Sequence, residues 1–126
     1  NYNSGQYSLA IEQFTRALQV DSNYPTAYAW RGSAYHQLGQ YQLAIADYNI
    51  AITLEPTAGH YNNRGNAYHD LGIYDQAIRD FGQSILLNPL SANGYAGRAW
   101  SYYELGQYGL FSADLDIACR LESAYC

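Results

Sequence analysis

Residues 35–41 read Tyr-His-Gln-Leu-Gly-Gln-Tyr, and the same pattern, Tyr-x-x-Leu-Gly-x-Tyr, returns at residues 68–74 and 102–108. A shorter copy, Ser-Gly-Gln-Tyr, lies at residues 4–7. The glycines of the four copies, 34, 33 and 34 residues apart, are Gly5, Gly39, Gly72 and Gly106. A repeat of this length is typical of a solenoid, in which stacked helical hairpins bury their apolar faces against one another. We therefore expect the function to lie in a surface.

The apolar residues after each glycine follow helical spacing. After Gly39 they recur at i, i+1, i+4, i+7 and i+8, as Ala44, Ile45, Tyr48, Ala51 and Ile52. The stripes after Gly5, Gly39 and Gly72 end near Pro25, Pro56 and Pro89. A second helix precedes each Leu-Gly step, where glycine can take the left-handed conformation that ends a helix. The spacing predicts seven helices, at residues 7–20, 26–38, 41–54, 59–71, 74–87, 92–105 and 108–121.

Composition and charge exclude several classes of protein. The chain has 126 residues, a net charge of −5 and six basic residues, all of them arginine. Nucleic-acid binding needs a basic surface, so we expect no nucleic-acid partner. The sequence lacks an apolar run near the ~20 residues that a membrane span requires. At 48% hydrophobic and 13% charged residues, a folded chain is expected rather than a disordered one.

The length predicts a single domain over residues 1–126. The repeats divide it into a partial first unit and three full units, at residues 1–24, 25–57, 58–91 and 92–126. The chain begins inside a repeat and has no methionine, so we expect it to be a piece of a longer protein.

Small residues, aromatic residues and a closing proline recur in register. In the second repeat they are Tyr28, Gly32, Tyr35, Tyr41, Ala44, Tyr48, Ala51 and Pro56. In the third they are Tyr61, Gly65, Tyr68, Tyr74, Ala77, Phe81, Ser84 and Pro89. The sequence resembles the tetratricopeptide repeat family over essentially its whole length. The resemblance implies an all-α fold, a right-handed α-solenoid of about three and a half helix-turn-helix units.

Two sets of residues are predicted to hold the hairpins together. Small residues let the two helices of a hairpin cross closely, with Gly32 facing Ala44 and Gly65 facing Ala77. An arginine is followed sixteen residues later by an aspartate in three repeats, which predicts ion pairs between helices: Arg31–Asp47, Arg64–Asp80 and Arg98–Asp114. A role of these arginines in ligand binding is the alternative.

The last repeat departs from the pattern. Phe111 stands where alanine is expected, and Ser123 where proline is expected. Either the last helix is displaced outward or its register slips. Because Gly94, Gly97 and Gly109 also weaken helices, we expect the last repeat to be the loosest.

The resemblance implies a concave groove, lined by the leading helices, that binds a partner peptide or helix. The residues that it places in or beside the groove are His36, Asn62, Asn63, Asn66, His69, Asn93, Trp100 and Tyr103. Asparagine can pair with a peptide backbone through both its donor and its acceptor, and tryptophan and tyrosine are common anchors at interfaces. A plain solvated face is the alternative for all of them. The lysines of the chaperone-binding subgroup are absent, so that subfunction is not expected.

No residue cluster suggests a reaction centre or a cofactor, and His36 with His69 lacks the further ligands of a metal site. The predicted function is a non-catalytic protein-interaction scaffold. The alternatives are a structural subunit that self-associates through the solenoid ends, and a substrate-recruiting segment of a larger enzyme.

The two cysteines leave the cellular compartment open, with the cytoplasm as the default. A helix through Cys119 and Cys126 would hold them about 10 Å apart. That is too far for a disulfide, so we expect two free thiols. A disulfide is the alternative, and it requires the chain to turn back after the last helix.

Overall fold

The computed structural model describes residues 3–126; Asn1 and Tyr2, where the predicted first repeat and domain begin, lie outside the described residues. Residues 3–126 contain no β-strand, and their helices are α1 (Ser4–Val20), α2 (Pro25–Gln37), α3 (Tyr41–Leu54), α4 (Ala58–Asp70), α5 (Tyr74–Leu87), α6 (Ala92–Glu104) and α7 (Tyr108–Leu121). A short 3-10 turn follows at Ser123–Tyr125. The all-α, helix-turn-helix prediction is confirmed.

Three helices, α3, α5 and α7, have the predicted bounds, and α1 differs most, because it begins at Ser4 rather than at residue 7. A capping box explains the earlier start. The Asn3 side chain accepts from the backbone N–H of Gln6 at 3.0 Å, and the Gln6 side chain accepts from the backbone N–H of Asn3 at 2.9 Å. These bonds satisfy two donors that a helix start otherwise leaves unpaired.

The turn inside each hairpin uses the predicted glycine. Gly39, Gly72 and Gly106 have φ values of 76°, 82° and 76°, a left-handed conformation that side chains disfavour. In the first of these turns the N–H of Gln40 donates to the carbonyl of Tyr35 at 2.9 Å, which closes the end of α2. The repeated phrase of the sequence is therefore a helix-ending signal.

The chain forms two compact units, Asn1–Pro56 and Thr57–Cys126, hereafter the N-terminal unit and the C-terminal unit. The N-terminal unit contains α1 to α3, and its most deeply buried side chains include Ala44, Tyr48 and Ala51. The C-terminal unit contains α4 to α7 and the 3-10 turn, and its core includes Phe81 and Ala99. The single-domain assignment stays a prediction.

In the hairpins α2–α3 and α4–α5, an aromatic ring sets how closely the two helices cross. A Cβ atom on Gly32 would lie 2.8 Å from the Tyr48 ring and 3.2 Å from the Ala44 carbonyl. A Cβ atom on Gly65 would lie 2.9 Å from the Phe81 ring. The sequence pattern indicated Ala44 and Ala77 as the close contacts, but the aromatic ring sixteen residues after each glycine leaves the least room.

All three predicted ion pairs are formed in the same geometry. The arginine Nε and Nη2 atoms donate to the two carboxylate oxygens of one aspartate, at 2.8 and 2.7 Å for Arg31–Asp47, 2.8 and 2.7 Å for Arg64–Asp80, and 2.7 and 3.0 Å for Arg98–Asp114. The hydrogen bonds to aspartate raise the pKa of each arginine. Each pair therefore fixes the register of the two helices in its hairpin.

In the last repeat, α7 keeps the register of the other hairpins, since Arg98 meets Asp114 as Arg64 meets Asp80. A register slip is therefore excluded. The Phe111 ring is accommodated against Trp100 and Tyr103, with ring centroids 5.0 and 5.2 Å apart.

Two glycines of α6 have a packing role that the sequence argument missed. A Cβ atom on Gly94 would lie 2.9 Å from Ile85, and one on Gly97 would overlap the Phe81 ring. These glycines let α6 approach α5 closely, so their low helix propensity is offset by packing. Gly109 has open space around it. That the last repeat is the loosest stays a prediction.

The expectation of two free thiols is wrong, because Cys119 and Cys126 form a disulfide, with Cα atoms 4.7 Å apart. The chain leaves α7 at Glu122 in an extended conformation, and the 3-10 turn brings Cys126 back. Tyr125 packs against the alanine cluster Ala92, Ala96 and Ala118, and its hydroxyl donates to Asn93 Oδ1. Disulfides persist mainly in oxidising compartments, and the compartment of this protein stays a prediction.

Candidate protein-interaction surface

Helices α4 and α6 of the C-terminal unit carry most of the predicted groove residues. Residues three, four or seven apart share one face of a helix, which places Asn66 with His69 on α4 and Asn93 with Trp100 and Tyr103 on α6. The side chain of His69 reaches α6, where its Nδ1 atom lies 2.9 Å from Ser101 Oγ. We call these five residues the α4–α6 surface.

Trp100 and Tyr103 form the apolar part of this surface. They are 45% and 43% exposed, and their ring centroids are 5.5 Å apart. Phe111 packs against both rings, and Tyr108 against Tyr103 at 5.3 Å. Edge-to-face contacts of this kind hold the rings in place, so the exposed aromatic area is preorganised. The sequence prediction did not include Phe111 and Tyr108. Phe111 could have been noticed, because it stands where the repeat pattern has alanine.

His69 is held against α6 by its contact with Ser101. When the Ser101 hydroxyl donates to the carbonyl of Gly97 at 3.1 Å, it accepts from the Nδ1–H tautomer of His69. The ring also packs edge-on against Tyr74 at 5.2 Å. In the neutral imidazole the other nitrogen, Nε2, is then a hydrogen-bond acceptor, and none of residues 3–126 donates to it.

The four predicted asparagines differ in availability. Asn66 is exposed, whereas Asn63 is half-buried. The Oδ1 atom of Asn62 is buried and has no hydrogen-bond partner among residues 3–126, so the side chain must turn before it can meet a ligand. Asn93 is exposed, but its Oδ1 atom already accepts from Tyr125. Asn66 is therefore the asparagine best placed to contact a partner.

His36 lies on α2 of the N-terminal unit and packs edge-on against Tyr41 at 5.2 Å, as His69 does against Tyr74. On the same helix, Ser33 Oγ lies 3.1 Å from the hydroxyl of Tyr48. Burial raises the pKa of Tyr48, and the Ser33 hydrogen bond partly opposes that shift.

The N-terminal unit also has an apolar cavity of about 670 Å³ between α1 and α2. Its walls include Leu9 and Trp30, each 53% exposed, and Phe14, whose ring lies 5.5 Å from that of Trp30.

No group of three histidine, cysteine, aspartate or glutamate side chains in residues 3–126 is arranged to hold a metal ion. No helix there combines the length and the apolar character needed to cross a membrane.

Two family models match the sequence. The model described as TPR repeat matches residues 2–39 and 32–72, and the model described as tetratricopeptide repeat matches residues 60–89. The chain belongs to the tetratricopeptide repeat (TPR) family. The resemblance inferred from the repeated phrase is confirmed.

Solved structures share the TPR architecture. The TM-score is 0.77 for the Arabidopsis OM64 TPR domain, at 28% identity over 79% of this chain and 83% of that chain. It is 0.87 for a chain of the APC/C hetero-tetramer Cut9-Hcn1, at 25% identity over 94% of this chain and 24% of that chain. MamA from Desulfovibrio magneticus RS-1 also scores 0.87, at 19% identity over 95% of this chain and 68% of that chain, and at that identity the likeness shows the fold alone.

The TPR family and the Cut9-Hcn1 neighbour support a role as a protein-interaction scaffold. The partners to be expected are therefore other proteins.

Proposed function

We propose that this protein is a non-catalytic scaffold that holds a segment of a partner protein on the α4–α6 surface. The observation that carries the proposal is the exposed aromatic pair Trp100 and Tyr103, held in place by Phe111 beside polar groups that can pair with a peptide. Large, rigid aromatic side chains dominate the binding energy of many interfaces.

The chemistry of the surface describes the segment that it suits. An apolar side chain of the partner would pack on Trp100 and Tyr103. Backbone N–H groups would donate to His69 Nε2 and to the carbonyl oxygen of Asn66, whose amide can also donate to a backbone carbonyl. The net charge of −5 favours a neutral or basic segment over an acidic one at this surface. The Cut9-Hcn1 chain, solved within a hetero-tetramer, gives an instance of this architecture in a protein assembly.

The experiment compares two double variants in a pull-down from the native source, with bound proteins identified by mass spectrometry. Asn66→Ala with Trp100→Ala removes one polar and one aromatic contact from the α4–α6 surface. Val20→Ala with Asn23→Ala is the control, because both residues are exposed in the N-terminal unit. Loss of the same partner from the first variant alone supports the proposal. Equal capture by both variants places the contact elsewhere on the protein.

A second candidate function is self-assembly through the apolar cavity between α1 and α2. The observation that favours it is the exposure of Leu9 and Trp30 in one concave apolar patch, since such patches mark interaction sites. Light scattering over a range of concentrations tests it. A concentration-dependent mass that Leu9→Glu abolishes supports a second copy of the chain as the occupant, and a concentration-independent monomer argues against it.

A further inference from the structure

The interhelix arginines are equivalent by repeat position but differ in one hydrogen bond. Arg31 uses Nε and Nη2 for Asp47, and its third nitrogen, Nη1, donates to Thr15 Oγ1 at 3.2 Å. Thr15 precedes Arg31 by sixteen residues and belongs to the preceding helix, α1. All three nitrogen atoms of this guanidinium are therefore used inside the protein.

Arg98 repeats the arrangement without the third bond. Its Nε and Nη2 atoms donate to Asp114, while Nη1 faces α5 at Gly82, which precedes Arg98 by sixteen residues as Thr15 precedes Arg31. A Cβ atom on Gly82 would lie 3.9 Å from Nη1, and glycine supplies no side-chain acceptor at that place. Within residues 3–126, no hydrogen-bond acceptor meets Nη1 of Arg98.

Arg98 and Gly82 both line a cavity of about 690 Å³ in the C-terminal unit. The walls include Arg79 and the amide side chains of Gln76 and Gln83. Arg79 is exposed and forms no ion pair within residues 3–126. The cavity therefore combines a free guanidinium with a free donor of a second one, in a chain whose net charge is −5.

The only acidic side chain in the cavity wall is Asp80, and both of its oxygens are held by Arg64. The wall thus contains three of the six arginines of the chain and one carboxylate. This excess of positive charge attracts anions, and guanidinium groups bind carboxylates through charge-assisted hydrogen bonds.

We propose that this cavity binds the carboxylate of an aspartate or glutamate in an acidic segment of a partner protein. Arg79 supplies the charge, and Nη1 of Arg98 supplies a directed donor. The opening over Gly82 admits the side chain. The arginines meet the planar carboxylate through their N–H groups.

The site is separate from the α4–α6 surface. On α4 the cavity wall contains Tyr61, Arg64 and Tyr68, which share one face of the helix, whereas Asn66 and His69 lie on nearly the opposite face. Binding at the cavity and binding at the α4–α6 surface can therefore be tested separately.

The probe is a hexaglutamate peptide, titrated into the full chain at about 150 mM salt, where nonspecific attraction is screened. Hexaserine is the uncharged control, and inorganic phosphate forms a separate arm. We expect hexaglutamate to bind saturably and hexaserine not to bind. Arg79→Gln should weaken it about tenfold.

Two further variants give the test its specificity. Gly82→Thr restores the acceptor that Arg31 has in Thr15 and fills the opening, and should weaken hexaglutamate binding about fivefold. If that variant fails to fold, Gly82→Ser serves in its place. Arg120→Gln removes an equal charge from an exposed residue of α7 and should change the affinity less than about twofold.

Three results overturn the proposal. Equal weakening by Arg79→Gln and Arg120→Gln identifies nonspecific charge attraction. Equal binding of hexaglutamate and hexaserine removes the role of the carboxylate. Saturable binding of phosphate without binding of hexaglutamate assigns the cavity to a different ligand.

Discussion

The third and last repeats lie in the same compact unit, and they fill the space between the two helices of the hairpin with different side chains. In the third, the fully buried ring of Phe81 fits only because Gly65 and Gly97 leave room on both sides. In the last, Leu115 stands at the position of Phe81, and Ala99 replaces the glycine. The size of one residue is matched by the size of its partner across the hairpin, so the repeat conserves total volume rather than identity.

The largest expected effect comes from the central side chains themselves. Phe81→Ala should lower the free energy of unfolding by about 3–5 kcal/mol, because it empties a fully buried site between three helices. Leu115→Ala should cost less, about 1–2 kcal/mol, since Leu115 is partly exposed. Urea unfolding measures both values. Equal losses would show that the two hairpins pack alike.

The next effect tests the ion pairs. Asp80→Asn should cost roughly 2–3 kcal/mol because it leaves a half-buried arginine without its partner. Asp114→Asn should cost somewhat less, since the Arg98 side chain is 26% exposed and that of Arg64 is 21% exposed. The measurement is again urea unfolding.

A double variant gives the control for that prediction. Arg64→Met with Asp80→Leu should recover much of the loss, because an apolar pair of similar volume needs no buried charge to be matched. A double variant as unstable as Asp80→Asn would mean that the ion pair itself contributes strongly to folding.

Two glycines then separate a packing requirement from low helix propensity. Gly97→Ala should destabilise by about 1–3 kcal/mol, because its methyl group meets the Phe81 ring. Gly109→Ala, with open space around it, should stabilise by up to about 1 kcal/mol. Thermal unfolding gives the sign of each change. A stabilising Gly97→Ala would contradict the close approach of α5 and α6.

The disulfide exists in the last repeat alone. Replacing both Cys119 and Cys126 by serine should lower stability by about 2.5 kcal/mol at most, because the closed loop is short. Hydrogen exchange should rise in residues 122–126 and leave the third repeat unchanged. Faster hydrogen exchange in the third repeat as well would mean that the disulfide stabilises residues beyond its own turn.

The smallest effect is expected when Tyr48 is replaced by phenylalanine, the residue that Phe81 supplies at the same repeat position. At neutral pH Tyr48→Phe should cost about 1 kcal/mol through the lost hydrogen bond to Ser33. Because burial raises the pKa of Tyr48, the folded protein keeps the proton of the Tyr48 hydroxyl above pH ~10, where the unfolded chain releases it. The free energy of unfolding of the original protein therefore falls as the pH rises above ~10, whereas that of Tyr48→Phe has no such contribution. The difference in free energy of unfolding between the two proteins should narrow over the same pH range. If the free energies of unfolding of the two proteins ran parallel with pH, the pKa of Tyr48 would not be raised by burial.

The sequence predicted the parts of the fold that the repeat itself encodes. Helices α3, α5 and α7 begin at the tyrosine that closes each phrase, and the Arg–Asp pairs followed from a constant spacing of sixteen residues. The disulfide could not be predicted, because it depends on a turn after Glu122 that has no counterpart in the repeat.

For the candidate site, the sequence predicted residue types but not their availability. Asn66 and Asn93 were both predicted to face the groove and both are exposed, yet the Oδ1 atom of Asn93 already accepts from the Tyr125 hydroxyl. Gly97 appeared only to weaken its helix, because the Phe81 ring that needs the space belongs to another repeat. Such contacts depend on which side chains meet in three dimensions.

The two tryptophans report separately on the two candidate binding surfaces, since Trp30 lines the apolar cavity of the N-terminal unit and Trp100 belongs to the α4–α6 surface. Trp30→Phe leaves Trp100 as the sole tryptophan, and Trp100→Phe leaves Trp30. On addition of the partner protein purified from the native source, the emission of Trp100 should shift to the blue while that of Trp30 stays unchanged. A shift of Trp30 alone would contradict binding at the α4–α6 surface.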